Sequence, residues 1–185
     1  MTGLSNQRGA TTLWIVLLTV ASLFTTWALA CMTPFAALAA LAATHMRRRD
    51  GAALMLASWA VSQGVGFGLL HYPHDATTVA WGAALGLAAL GAVGGAYLAL
   101  GATGAASLPV RLSGAFAAAF VSFKLVLIAG DVMLDSPFAS TIAPRLLLVQ
   151  VPREAAVTLA LLALYKGLVA HGVPAVPTPS RAAVA

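Results

Sequence analysis

Apolar residues gather into six runs broken by short polar stretches: Thr12 to Cys31, Thr33 to Met46, Gly51 to Leu70, Thr77 to Leu100, Val110 to Ala129 and Pro152 to Val169. Each run reads as a helix able to enter a membrane, and a full crossing takes ~20 residues. The first two runs share only about 35 residues, so they predict a short hairpin. Its turn, Cys31-Met32-Thr33-Pro34, carries a helix-start pattern, with Thr33 as N-cap and Pro34 at the first helical position. At 1.5 Å per residue, Thr33 to His45 reaches only about 20 Å, which sets the turn below the outer membrane surface. Irregular backbone at that depth survives only against protein or a cavity. Cys31 is therefore expected on the floor or wall of an outward pocket.

Small residues crowd the third and fourth runs, and Gly64/Gly68, Gly82/Gly86 and Gly91/Gly95 have the small-xxx-small spacing that lets helices approach closely in lipid. Packing within one bundle is the expected use. Between these runs lies His71-Tyr72-Pro73-His74-Asp75, a polar and aromatic loop. Lys124 stands five residues before the end of the fifth run at Ala129, close enough to the interface to snorkel. Residues 138–151 read as an outer cap, and Pro152 as the first residue of the last helix, with Glu154 in its first turn favouring the helix dipole. Residues 1–171 are thus expected to form one six-helix transmembrane domain. The Pro- and Ala-rich residues 172–185 are expected to be a flexible cytoplasmic tail.

Composition agrees with this pattern. At 61% hydrophobic and 8% charged, with mean hydropathy +0.93, the chain has too few polar residues to cover a soluble globule. The fold class expected is an all-α integral membrane protein. Arg8, Arg47, Arg48, Arg49, Arg111, Lys166 and Arg181 all fall on one side of the six runs. The positive-inside rule makes that side, and both termini, cytoplasmic. The same arginines explain the pI of 10.2 through topology and anionic lipid, so no nucleic-acid partner is implied. The outer side is mixed: Lys124, Arg145 and Arg153 against Asp75, Asp131, Asp135 and Glu154.

Several chemistries are excluded by motif. There is no Walker A sequence and hence no ATP site, no H-E-x-x-H, no G-x-S-x-G, no second cysteine for a disulfide and no inverted duplication. What remains is an outer face suited to a polar or metal-containing small molecule. A lone Cys in an apolar segment is commonly a small buried hydrophobe. A helix N-terminus, however, favours the thiolate, the form that binds soft or borderline metals. The outer-side candidates for lining a pocket are Cys31, Met32, Thr33, Gln63, Phe67, His71, Tyr72 and Pro73, followed by Lys124, Asp131 and Arg153.

The segments Cys31-Met32-Thr33-Pro34-Phe35-Ala36-Ala37, Ser62-Gln63-Gly64-Val65-Gly66-Phe67-Gly68 and His71-Tyr72-Pro73 resemble the BtuM-type group of solitary cobalamin-uptake proteins. These are S components related to energy-coupling factor transporters of the bacterial inner membrane. The resemblance implies an S-component-like bundle with cobalamin as substrate and Cys31 as axial ligand to its cobalt. It also implies uptake across the inner membrane, with thiolate donation assisting loss of the opposite cobalt ligand, such as cyanide. S components commonly dock on a coupling protein through Ala-x-x-x-Ala in the first span. Here the clearest such pairs, Ala36/Ala40 and Ala39/Ala43, lie in the second, which fits a protein acting without a coupling ATPase module. Two other classes stand beside this one. One is a structural or assembly subunit of a larger membrane complex, with Cys31 as packing; the other is a haem protein using His45 and His171.

Overall fold

The computed structural model describes residues 2–28, 33–103, 106–135, 141 and 143–176, and these are all-helical. Six helices follow in order: α1 (Thr2–Ala28), α2 (Phe35–His45), α3 (Arg48–Gly64), α4 (Ala76–Thr103), α5 (Leu108–Met133) and α6 (Pro144–Ala170). A π-helical turn, Val65–Leu69, continues α3. Four of these segments, Arg48–Leu69, Ala76–Thr103, Leu108–Met133 and Pro144–Ala170, are long and apolar enough to cross a membrane. In α1 and α2 the apolar stretches are shorter, Arg8–Phe24 and Phe35–His45. The outside of the bundle is studded with exposed Leu, Val and Phe, including Val16, Phe24, Leu87, Leu98, Leu125, Leu148 and Leu159, while Ser58, Lys124, Gln150, Glu154 and Thr158 are buried. Apolar outside and polar inside is the arrangement of a helical membrane protein.

α2 is the centre of the molecule. Eleven residues reach only about 16 Å, half of a hydrocarbon core. Every residue from Phe35 to Ala43 is buried, because α3, α4, α5 and α6 all pack on it. Six alanines in this helix let four neighbours approach. Pro34 rather than Thr33 occupies the N-cap position of α2, one residue away from the helix-start reading, and the Phe35 N–H donates to the Thr33 carbonyl at 2.8 Å. At the other end the Tyr97 hydroxyl meets the carbonyls of Arg47, Met46 and Ala42 at 2.9, 3.1 and 3.3 Å. Gly51 makes room for that ring, since a Cβ there would stand 2.6 Å from the Tyr97 hydroxyl.

Four glycines of α4, Gly82, Gly86, Gly91 and Gly95, serve internal packing. Cβ atoms on Gly82 and Gly86 would lie 2.7 Å from Gln63 and 2.9 Å from Trp59 of α3, and one on Gly91 3.0 Å from Val126 of α5. A Cβ on Gly95 would collide with Ser122 Oγ and stand 2.9 Å from the Ala118 carbonyl oxygen. Gly64 and Gly68 face open space instead. Gly95→Ala is expected to lower stability by about 1–3 kcal/mol through overpacking against backbone. Gly94→Ala, whose methyl meets nothing within 4 Å, is expected to be neutral or stabilising by up to about 1 kcal/mol. Thermal unfolding of the two variants in detergent checks this; equal behaviour would mean that α4 and α5 are not pressed together at Gly95.

α1 begins at Thr2, ten residues before the run read from Thr12, and two further boundaries differ from the sequence reading. α6 begins at Pro144 and carries Pro152 inside it, so residues 144–151 are helix rather than a separate cap. Pro144 supplies the helix-start geometry that Pro152 was expected to supply. α5 runs on to Met133, which leaves Lys124 nine residues, about 14 Å, from the helix end. Residues 172–176, read as the start of a tail, pack against the bundle: the Trp14 indole N–H donates to the Pro174 carbonyl at 2.8 Å and Val176 is buried.

Candidate functional site

Helix directions sort the chain into two ends. One gathers Arg8, Arg47 to Arg49, Arg111 and Lys166; the other gathers Thr33, residues 65–75, the end of α5 and the start of α6. At this second end a cavity of about 440 Å³ is formed by α2, α3, α5 and α6. Leu70, Tyr72 and Leu146 stand exposed at its mouth, and buried Phe35, Phe123, Lys124, Gln150 and Glu154 form its inner wall.

Glu154 is the pivot of that wall. It lies ten residues into α6, about 15 Å from the helix start. Its Oε2 accepts the Ala36 N–H of α2 at 3.1 Å, and its Oε1 accepts Gln150 Nε2 at 3.4 Å. A carboxylate at a helix N-terminus meets both the unsatisfied amides and the positive end of the dipole. The carboxylate expected to serve its own helix therefore serves α2 across the bundle. Gln150 Oε1 is buried and, among the described residues, has no hydrogen-bond partner. Lys124 does not snorkel to the surface: it is 9% exposed, donates to the Thr141 carbonyl at 3.1 Å and lies 5.8 Å over the Phe120 ring.

The mouth is shaped by the π-turn. Leu70 N–H donates to the Val65 carbonyl at 2.9 Å, and Tyr72 N–H to the Gly66 carbonyl at 3.1 Å. This folds the Tyr72 ring over Gly66, where a Cβ would stand 2.8 Å from it. His71 makes the turn with φ of 56°, a left-handed conformation that His adopts more readily than bulky or β-branched residues. Phe67 backs Tyr72 and His74, with ring centroids 6.2 and 5.3 Å away. Asp75 ends the loop by capping α4: its Oδ1 accepts the Thr78 N–H at 2.8 Å and its Oδ2 the Thr78 hydroxyl at 2.9 Å. These bonds hold its carboxyl below the ordinary carboxylate range.

Of the residues singled out in the sequence, Thr33, Gln63, Tyr72 and Lys124 come together on the cavity lining. Phe67, His71, Pro73, Asp131 and Arg153 do not line it. His71 and Pro73 are exposed in the loop, and Asp131 is 3% exposed, its Oδ2 without a partner among the described residues. Cys31 and Met32 lie outside the described residues. Gln150 and Glu154 were missed as lining residues, although Gln150, Glu154 and Thr158 recur every four residues on one face of an apolar helix. Such a stripe faces the bundle interior, and the proline read as a helix start hid it.

Among the described residues no group of three or more His, Cys, Asp or Glu is placed to hold a metal. His45 and His171 are engaged locally: the His45 ring packs 4.6 Å from Tyr165, and His171 Nδ1 lies 2.8 Å from the Gly167 carbonyl. The chain matches no protein-family model, no curated protein and no solved structure.

Proposed function

We propose that the protein is a cobalamin uptake protein of the bacterial inner membrane, an S-component-like bundle of six membrane segments with both termini cytoplasmic. Cobalamin is its substrate, and the Cys31 thiolate is the axial ligand to the substrate's cobalt. The observation that carries this reading is the cavity, with Thr33 on its lining. Cys31 is two residues from Thr33, and two residues reach about 7 Å at most. The stretch of chain that carries the thiol thus adjoins, in sequence, a lining residue of a cavity built from membrane helices.

Orientation follows from charge. The basic end of the bundle is cytoplasmic by the positive-inside rule, so the cavity opens outward, where a substrate for uptake arrives. At about 440 Å³ the cavity accepts an edge of the corrin ring with its side chains, so the mouth must widen or the rest of the substrate must stand outside it. A thiolate on one face of Co(III) donates strongly and weakens the bond on the opposite face; cyanide would leave there as the anion with its electron pair. Uptake without a coupling ATPase then amounts to reorientation of a loaded bundle, with trapping by later metabolism inside.

Purified protein incubated with cobalamin is expected to retain it through gel filtration and to shift its visible absorption. A cytoplasm-only reporter fused to Ala185 is expected to be active. A protein that stays colourless, yet is folded, would end this reading and leave a structural or assembly role.

A further inference from the structure

Gln150, Glu154 and Lys124 share the inner wall of the cavity, and their hydrogen-bonding groups are used unevenly. Gln150 Nε2 is directed at Glu154 Oε1, 3.4 Å away. Among the described residues Gln150 Oε1 is left buried and without a partner. Glu154 Oε2 is committed to the Ala36 N–H. Lys124 has three N–H donors, one of which goes to the Thr141 carbonyl. Among the described residues the wall therefore presents an unmet acceptor, a carboxyl group beside it and further donors from an ammonium.

Few functional groups fit that pattern. A carboxylate accepts only, and would set its lone pairs against Gln150 Oε1 and the Glu154 carboxyl oxygens. An ammonium donates only, and would face Lys124. A primary carboxamide carries two N–H donors and a carbonyl acceptor in one plane, so it can donate to Gln150 Oε1 and accept from Lys124 at once. We propose that this wall is a subsite for a primary carboxamide of the substrate and that it discriminates against the corresponding carboxylate. The periphery of cobalamin carries several such amides, so the inference rests on the cobalamin reading for the substrate and on the wall for the group recognised.

The discriminating experiment titrates the detergent-purified full chain at pH 7 with cobalamin and, separately, with each cobalamin derivative in which one propionamide is hydrolysed to the acid, following the visible spectrum. One derivative, that whose altered side chain meets this wall, is expected to bind on the order of tenfold more weakly than cobalamin or worse, while the others bind as cobalamin does. Gln150→Met, which keeps shape and removes the acceptor, is expected to shrink that gap to within about threefold. Equal binding of cobalamin and all the acids to wild type would overturn the subsite and leave the cobalamin reading intact. Failure of cobalamin itself to bind would overturn both. Because the comparison of ligands on wild type decides the matter alone, a Gln150→Met protein that fails to fold does not shield the proposal.

Discussion

Cys31→Ser is expected to abolish the spectral shift of bound cobalamin and to weaken binding at least about tenfold, with the fold retained. A serine hydroxyl is nearly isosteric with the thiol but does not ionise near neutrality, so it cannot offer cobalt the same soft donor. Cys31→Ala should give the same spectrum as Cys31→Ser. Packing alone predicts a different result, because exchanging a buried Cys for Ala costs on the order of 1 kcal/mol and leaves a chromophore untouched. Ligation through sulfur also has a proton dependence: metal competes with the proton for the thiolate, so the shifted spectrum should fade as the pH falls. Identical bound spectra for wild type and Cys31→Ser from pH 6 to 9 would remove the metal role of Cys31.

Glu154→Leu is expected to be the most damaging single change to the fold. It leaves the Ala36 N–H, and the donor of Gln150, buried with no acceptor. Each unmet buried group costs about 1–3 kcal/mol, and the Tm of a domain this size falls by ~2–4 °C per kcal/mol. A loss of roughly 5 °C or more in detergent is therefore expected. Glu154→Gln keeps an acceptor facing α2 and should fall between the two proteins. Because α2 continues the segment that holds Cys31, Glu154→Leu should also lose cobalamin more readily than Glu154→Gln. A Glu154→Leu protein as stable as wild type would show that the α2 N-terminus does not depend on this carboxylate.

The membrane helices were legible in the sequence, whereas the contacts that join them were not. Apolar runs located the helical segments, because hydropathy in a membrane is a direct statement of what surrounds each stretch. α4 and α5 extend beyond their predicted runs by only one to four residues at each end. Proline was the misleading signal in α6. Pro144 and Pro152 both suit a helix start, and only the packing of Gln150, Glu154 and Thr158 toward the interior shows that the first opens the helix and the second lies within it. Lys124 was misplaced for a related reason: α5 continues through Asp131, a charged residue that reads as the end of an apolar run but is buried here. The Glu154 bond to Ala36 spans 118 residues, and no local pattern announces it. The cavity draws its lining from several helices, so its members could be guessed by membrane side but not separated from neighbours such as Phe67 or Arg153.

The alanine-rich α2 has a mechanical consequence. Its methyl-lined sides are interrupted by one ridge, because Phe35, Leu38 and Leu41 recur every three residues and are all buried. Glu154 at one end and Tyr97 at the other add a polar grip at each end. α2 is then a keyed shaft rather than a round one, and loosening either end would still leave the ridge to oppose its turning.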